Sequence, residues 1–141
     1  MNFTPSILYF LILELLSSSK FGTRNTILLK GGTHFSYEGM WKEVQQDLTI
    51  DSWHMGDFSS AEYTLNIELG RDVKEVIKIL LTASPNEASV VVYGRASTTR
   101  DLVTITASVD NSLVQLILNP KTAADKGAKA YFSATYFRSH T

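Results

Sequence analysis

Cysteine is missing from this chain altogether. Disulfides and thiolate metal sites are thereby excluded, and cysteine usage gives no clue to the redox compartment. Proline is scarce, at three residues, and charge is nearly balanced, with 13 Lys and Arg against 14 Asp and Glu. A formal net charge of -1 without any Lys/Arg run offers no broad basic field to a phosphate backbone, so nucleic acid is not an expected partner. Long hydrophobic runs are lacking too. Ile7 to Leu13, extended by Leu15 and Leu16 beyond Glu14, supplies about ten apolar residues, whereas a membrane-spanning helix needs about 20. Nucleophile elbows, P-loops and G-x-G-x-x-G turns are absent, so no motif announces a reaction.

What is present is a strong two-residue period. Tyr63, Leu65, Ile67 and Leu69 fall on one side of an extended chain, and Glu62, Thr64, Asn66 and Glu68 on the other. The period returns at Val103, Ile105, Ala107 and Val109, with Thr104, Thr106 and Ser108 between them. Such alternation is what a half-buried strand requires. Val73 to Ala83 fits helical spacing as well, but its β-branched residues and its strand neighbours favour a strand, with Glu75, Ile77, Ile79 and Leu81 on one side. Further strands are expected at Thr26 to Lys30, Asp47 to Ser52, Ser89 to Ala96 (with Gly94 marking a bulge), Leu102 to Val109, Ser112 to Asn119 and Ala128 to Arg138. Asp110-Asn111 is the expected hairpin turn, and Thr33 to Lys42 reads as an aromatic loop broken by Gly39. About eight short strands joined by turns predict an all-β fold, an antiparallel β-sandwich or jelly-roll-like barrel. At 141 residues with 44% hydrophobic and 19% charged content, one such domain is expected over 23–141. Residues 1–22 form an apolar segment, expected to be a short helix with Thr4 as N-cap and Pro5 in its first turn. It would serve as a docking arm, or as a signal peptide on a secreted chain, although no Lys or Arg precedes it.

Candidate chemistry is thin. His54 with Asp51 and Asp57 is the best local metal set, yet it lacks ligand spacing, so no metal and no cofactor are expected. His54, Asp57, Ser59 and Ser60 could suggest a hydrolase, but a turn whose side chains bond the backbone explains them. Glu62 and Glu68 would stand about 20 Å apart along a strand, beyond the roughly 5–9.5 Å that glycoside hydrolysis uses. Arg95 and Arg100 flank a Ser/Thr loop and are read as solvated. The aromatic residues and methionines are more telling. Tyr37, Met40 and Trp41 gather in one presumed loop, and Trp53, Met55 and Phe58 in another; Tyr136 and Phe137 occupy both sides of the last strand. Aromatic residues and methionine are enriched at interfaces, so Tyr37, Met40, Trp41, Trp53, Phe58, Tyr136 and Phe137 are the expected interface residues. The alternative is that the loop aromatics cap the open ends of the sandwich.

Asp57-Phe58-Ser59-Ser60-Ala61-Glu62-Tyr63, Lys74-Glu75-Val76-Ile77-Lys78, Val91-Val92-Tyr93-Gly94-Arg95 and the closing Tyr131 to Phe137 together resemble virion structural proteins of marine T4-like tailed phages of the cyanophage type. The resemblance covers roughly 47–138. It implies a non-enzymatic β-domain of a tail, neck, baseplate or capsid decoration, with other protein subunits, including copies of itself, as partners. A second expectation is a carbohydrate- or receptor-binding β-sandwich, in which Tyr37, Trp41, Trp53 and Phe58 would stack on a glycan.

Overall fold

A computed structural model describes the backbone at Ile27–Leu28 and from His34 to His140, with side chains from Gly39 to His140. The apolar segment 1–22 lies outside the described residues. Ten strand segments follow in order: β1 (Ile27–Leu28), β2 (His34–Glu38), β3 (Lys42–Val44), β4 (Leu48–His54), β5 (Phe58–Leu69), β6 (Val73–Ser84), β7 (Glu87–Ser97), β8 (Val103–Asp110), β9 (Leu113–Pro120) and β10 (Ala128–Arg138). A 3₁₀ turn, Ala123–Asp125, precedes β10.

All pairings are antiparallel. The large sheet runs β1-β2-β10-β5-β6-β7, and β3 also pairs with β10; the small sheet runs β4-β9-β8. Without the short edge pieces β1 and β3, these are sheets of five and three strands. The chain is thus an antiparallel β-sandwich, one of the two architectures expected. Sandwich sheets pack about 10 Å apart, and the intervening layer is the core. The large sheet supplies Tyr63, Leu65 and Ile67 of β5, Ile77, Ile79 and Leu81 of β6, and Phe132, Ala134 and Tyr136 of β10. Val114, Leu116 and Leu118 of β9 meet them from the small sheet. On β5 and β6 the observed inward set is the one that alternation picked out, Glu75 included. The ambiguous Val73 to Ala83 segment is a strand because both its edges are satisfied, by β5 on one side and β7 on the other.

Three expectations are corrected. Thr33 to Lys42 is not one loop: β2 and β3 lie in tandem along the same edge of β10, divided at Gly39. The Gly39 N–H donates to the Phe132 carbonyl at 2.8 Å, and any Cβ there would run into the Phe132 ring. A ladder to a strand about a hundred residues away in sequence leaves little local signature, which is why the segment reads as loop. The β8–β9 hairpin turns at Asn111-Ser112, one residue later than expected, with φ of 50° and 67°. Positive φ at both central residues matches the twist of the flanking strands. Finally, Asp51 points inward. Leu116 of β9 pairs with Asp51 while the next residue, Ile117, pairs with Thr49, which leaves Ile50 as an extra, bulged residue. The bulge buries Ile50 and Asp51 together and breaks the alternation that would have put Asp51 in water.

Candidate functional site

Between the sheets, Asp51 organises a buried polar network. Both the Tyr63 and the Tyr136 hydroxyls donate to its Oδ2, at 2.8 and 2.7 Å. The Trp53 indole N–H donates to the Tyr63 oxygen at 2.9 Å. Burial, and then the Asp51 charge and hydrogen bond, push the Tyr63 phenol well above its ordinary pKa. Phe58 stacks on Tyr136 at 5.0 Å and meets Trp53 edge-on at 6.3 Å. Three of the expected interface residues, Trp53, Phe58 and Tyr136, are therefore core residues. They close the sandwich from within, so a partner or sugar ring cannot stack on them. Phe137 is half-buried. Met40 and Trp41 are exposed, between β2 and β3. Tyr37 belongs to β2, and its side chain is outside the described set.

The two arginines are exposed at the surface, and each is also paired with a buried carboxylate. Arg95 Nε binds Glu75 Oε2, and its Nη2 donates to the Val103 carbonyl at 2.5 Å. The other Glu75 oxygen accepts the Leu102 N–H at 2.9 Å. Arg100 grips Asp125 Oδ1 at 2.7 and 3.1 Å, while the Thr122 hydroxyl and N–H donate to Oδ2 at 2.9 and 3.1 Å. Burial alone would raise the Asp125 carboxyl, but these donors outweigh it and hold the group below the ordinary carboxylate range. The Ser97 hydroxyl, with Arg95 and Lys121 nearby, likewise lowers Asp101. A buried carboxylate is tolerated when its oxygens are satisfied by charged and polar donors. These pairs staple the β7–β8 connection across the sheets.

The chemistry considered around His54 does not assemble. His54 is exposed, whereas the Asp51 carboxylate faces two tyrosines in the interior. The Asp57 N–H donates to the His54 carbonyl at 2.9 Å, as a turn does. No cluster of three or more His, Asp or Glu side chains able to hold a metal occurs among the described residues. No helix among them is long and apolar enough to cross a membrane.

The outer face of the large sheet is the remaining candidate, and it has two halves. Across β6 and β7, Leu80 lies opposite Val91, and they are 48% and 52% exposed. Next to them, Lys78 pairs with Gly94 and Ile79 with Val92, so Tyr93 is the bulged residue beside the expected Gly94. Tyr93 reaches over β6, and its hydroxyl donates to Glu62 Oε2 at 2.5 Å, a bond that raises the phenol's pKa. Lys78 Nζ donates to the Thr64 hydroxyl at 3.0 Å. Toward the other end of the face, Trp41 packs against Tyr131 with ring centroids 4.5 Å apart. Tyr131 pairs with Asn66, and Asn66 with Val76. Beside this row lies an open groove of about 340 Å³, lined by Asn66, Glu68, Lys74, Val76, Ala96 and Thr98 among others. Tyr131 and the outward β5–β6 residues are candidates that local reading missed; the alternation of β5 and β10 was the signal that could have found them.

No protein-family model matches the chain, and the search of curated proteins finds no relative. Among solved structures, it is similar to the tailspike of Acinetobacter phage vB_ApiP_P1, with a TM-score of 0.48, 13% identity and 75% of the chain covered. It is also similar to the tailspike of Acinetobacter baumannii phage AM24, at a TM-score of 0.40 and 11% identity over 77% of the chain. The tailspike gp49 of Acinetobacter baumannii phage Fri1, a capsular polysaccharide depolymerase, gives 0.41 and 9% over 79%. The chain spans 22%, 26% and 19% of these three tailspikes. They are phage virion proteins, as the sequence resemblance implied, but of Acinetobacter phages instead of marine T4-like ones. The expectation of a non-enzymatic chain is not upheld: the Fri1 tailspike is itself a capsular polysaccharide depolymerase. Lack of a local motif could not exclude activity, since catalytic groups are commonly assembled from distant positions.

Proposed function

We propose that this chain is a component of a phage particle and joins neighbouring protein subunits through the β6–β7 face. The phage setting is that of the sequence resemblance, and the tailspikes reported above share it. The observation that carries the interface is the exposed apolar strip of Leu80, Val91 and Tyr93. It adjoins β7, which ends the large sheet among the described residues. Side chains of this size on a sheet face, beside a long edge strand, gain by being covered. Covering Leu80 and Val91 contributes roughly 1 kcal/mol each, about half the value for complete burial. The polar networks beneath hold the strip in one shape, which lowers the entropic cost of docking.

The test is size-exclusion chromatography with light scattering, on the protein alone and with co-expressed virion proteins. Association is expected, and Leu80→Lys with Val91→Lys should weaken it at least about tenfold while leaving the melting temperature nearly unchanged. A strict monomer at high concentration with no virion partner, or association indifferent to the double substitution, would overturn the reading.

A further inference from the structure

The groove toward the Trp41–Tyr131 end gathers charged and amide side chains that have no partner of their own among the described residues. Toward Leu80 several polar side chains of this face are engaged: Glu62 with Tyr93, Lys78 with Thr64, Thr82 with the Ser59 carbonyl at 3.0 Å. Around the groove they are not. Glu68 and Lys74 stand opposite each other in the β5–β6 register, yet no ion pair joins them. Among the described residues, no hydrogen bond engages the side chain of Asn66, Glu68 or Lys74. Oppositely charged residues facing each other across a sheet usually gain by pairing. Here an acceptor, a donor and an amide that is both stand uncommitted around one hollow.

The hollow is shaped as well as polar. Val76 and Ala96 give it an apolar floor. Its far end is fixed by Thr98, whose hydroxyl donates to the Asp72 carbonyl at 2.9 Å and accepts the Lys74 N–H at 3.0 Å. Beyond the lining residue Asn66, one strand over, stands Tyr131, with Trp41 against it and 48% exposed. A small-molecule site combines apolar surface with a few placed polar groups. The ligand that suits this set carries many hydroxyls, apolar C–H faces and no net charge. An anion would meet Glu68, and a cation would meet Lys74 and Lys129, which flank Glu68 in the register. A hydroxyl-rich ring can donate to Glu68, accept from Lys74, do both with Asn66, and lay its C–H face on the exposed indole.

We infer that this groove is a binding site for a neutral saccharide, with Trp41 and Tyr131 as the stacking platform and Asn66, Glu68 and Lys74 as the hydroxyl-reading groups. The inference stands apart from the assembly reading, because its residues lie at the other end of the face from Leu80 and Val91. It also moves the stacking role from Trp53 and Phe58, which are buried, to Trp41 and Tyr131.

Tryptophan fluorescence gives a direct test. The chain has two tryptophans, and Trp53 is buried in the core, so a surface ligand reports through Trp41. The intact protein is titrated with cellotetraose, chitotetraose, maltotetraose and isomaltotetraose to millimolar concentration, with a heparin tetrasaccharide and oligodeoxythymidine as anionic comparisons. At least one neutral tetrasaccharide should change the emission saturably. Glu68→Gln or Asn66→Ala, read on wild-type Trp41, should weaken binding about tenfold. Leu80→Lys with Val91→Lys should leave the titration unaltered, which separates this site from the assembly face. Silence with every neutral saccharide overturns the inference. So does preference for either anion, or affinity unchanged by Glu68→Gln and Asn66→Ala in variants that melt like wild type.

Discussion

Asp51 shows how much one carboxylate can decide. Its Oδ2 accepts from both Tyr63 and Tyr136, which come from two different strands of the large sheet, while Asp51 itself belongs to the small one. Taking the carboxylate away strands two buried hydroxyls, and each unsatisfied group costs about 1–3 kcal/mol. Asp51→Ala should therefore destabilise by about 3 kcal/mol, whereas Asp51→Asn, which keeps a carbonyl acceptor, should lose less. Urea unfolding followed by near-ultraviolet circular dichroism measures both, because the tyrosines and Trp53 are the reporting chromophores. Equal losses for Ala and Asn would show that side-chain volume outweighs the hydrogen bonds. Glu75 follows the same logic with a cation added: the sequence places it inward with Ile77 and Ile79, and Arg95 and the Leu102 N–H satisfy it there.

At the scale of elements, the long strands β5, β6 and β10 owe their register to alternation over most of their length, since a one-residue slip would turn every core side chain outward. Turns and bulges set the remaining geometry. The β8–β9 turn holds Asn111 and Ser112 at positive φ, where asparagine is tolerated and serine is strained. Ser112→Gly should relieve that strain and raise stability by about 0.5–1 kcal/mol, seen as a higher midpoint at an unchanged denaturant slope. A lowered midpoint would mean that glycine's extra freedom in the unfolded chain outweighs the relief. Two of the bulges act differently. Ile50 turns Asp51 into the core, and Tyr93 carries its ring over β6 to Glu62. A bulge depends on what the partner strand offers, so no local pattern announces either one.

For the whole molecule, the sandwich is fastened by charge at its β7–β8 end as well as by apolar burial in its middle. Asp125 and Asp101 both have lowered pKa values. A carboxyl held below its unfolded pKa contributes stability that is complete above about pH 4 and lost as pH falls through the depressed folded value. The protein should thus lose stability steeply below pH 4. In Arg100→Gln, neutral-pH stability should drop by about 1 kcal/mol, since the Arg100 guanidinium is partly exposed and screened. The gap from wild type should close as the medium is acidified. Melting temperatures between pH 7 and pH 2 test this; a gap that widens in acid would show that Asp125 is not the group held down. The two ends of the outer face then divide the surface chemistry between them, apolar at Leu80 and Val91, polar and aromatic at Asn66, Glu68, Lys74 and Trp41.

Period-two alternation determined the fold class and the inward set of β5 and β6, because burying one face of a sheet dictates which residues can occupy it, and β-branched residues with strand neighbours decided for Val73 to Ala83. Tertiary structure alone decided the rest: that β2 exists, that Asp51 faces two tyrosines, that Trp53, Phe58 and Tyr136 are spent on the core, and that Trp41 meets Tyr131. Each of these depends on a strand distant in sequence. Hydrogen-bond ladders, bulges and aromatic packing are satisfied by the partner that arrives, and the local order of residues does not name that partner.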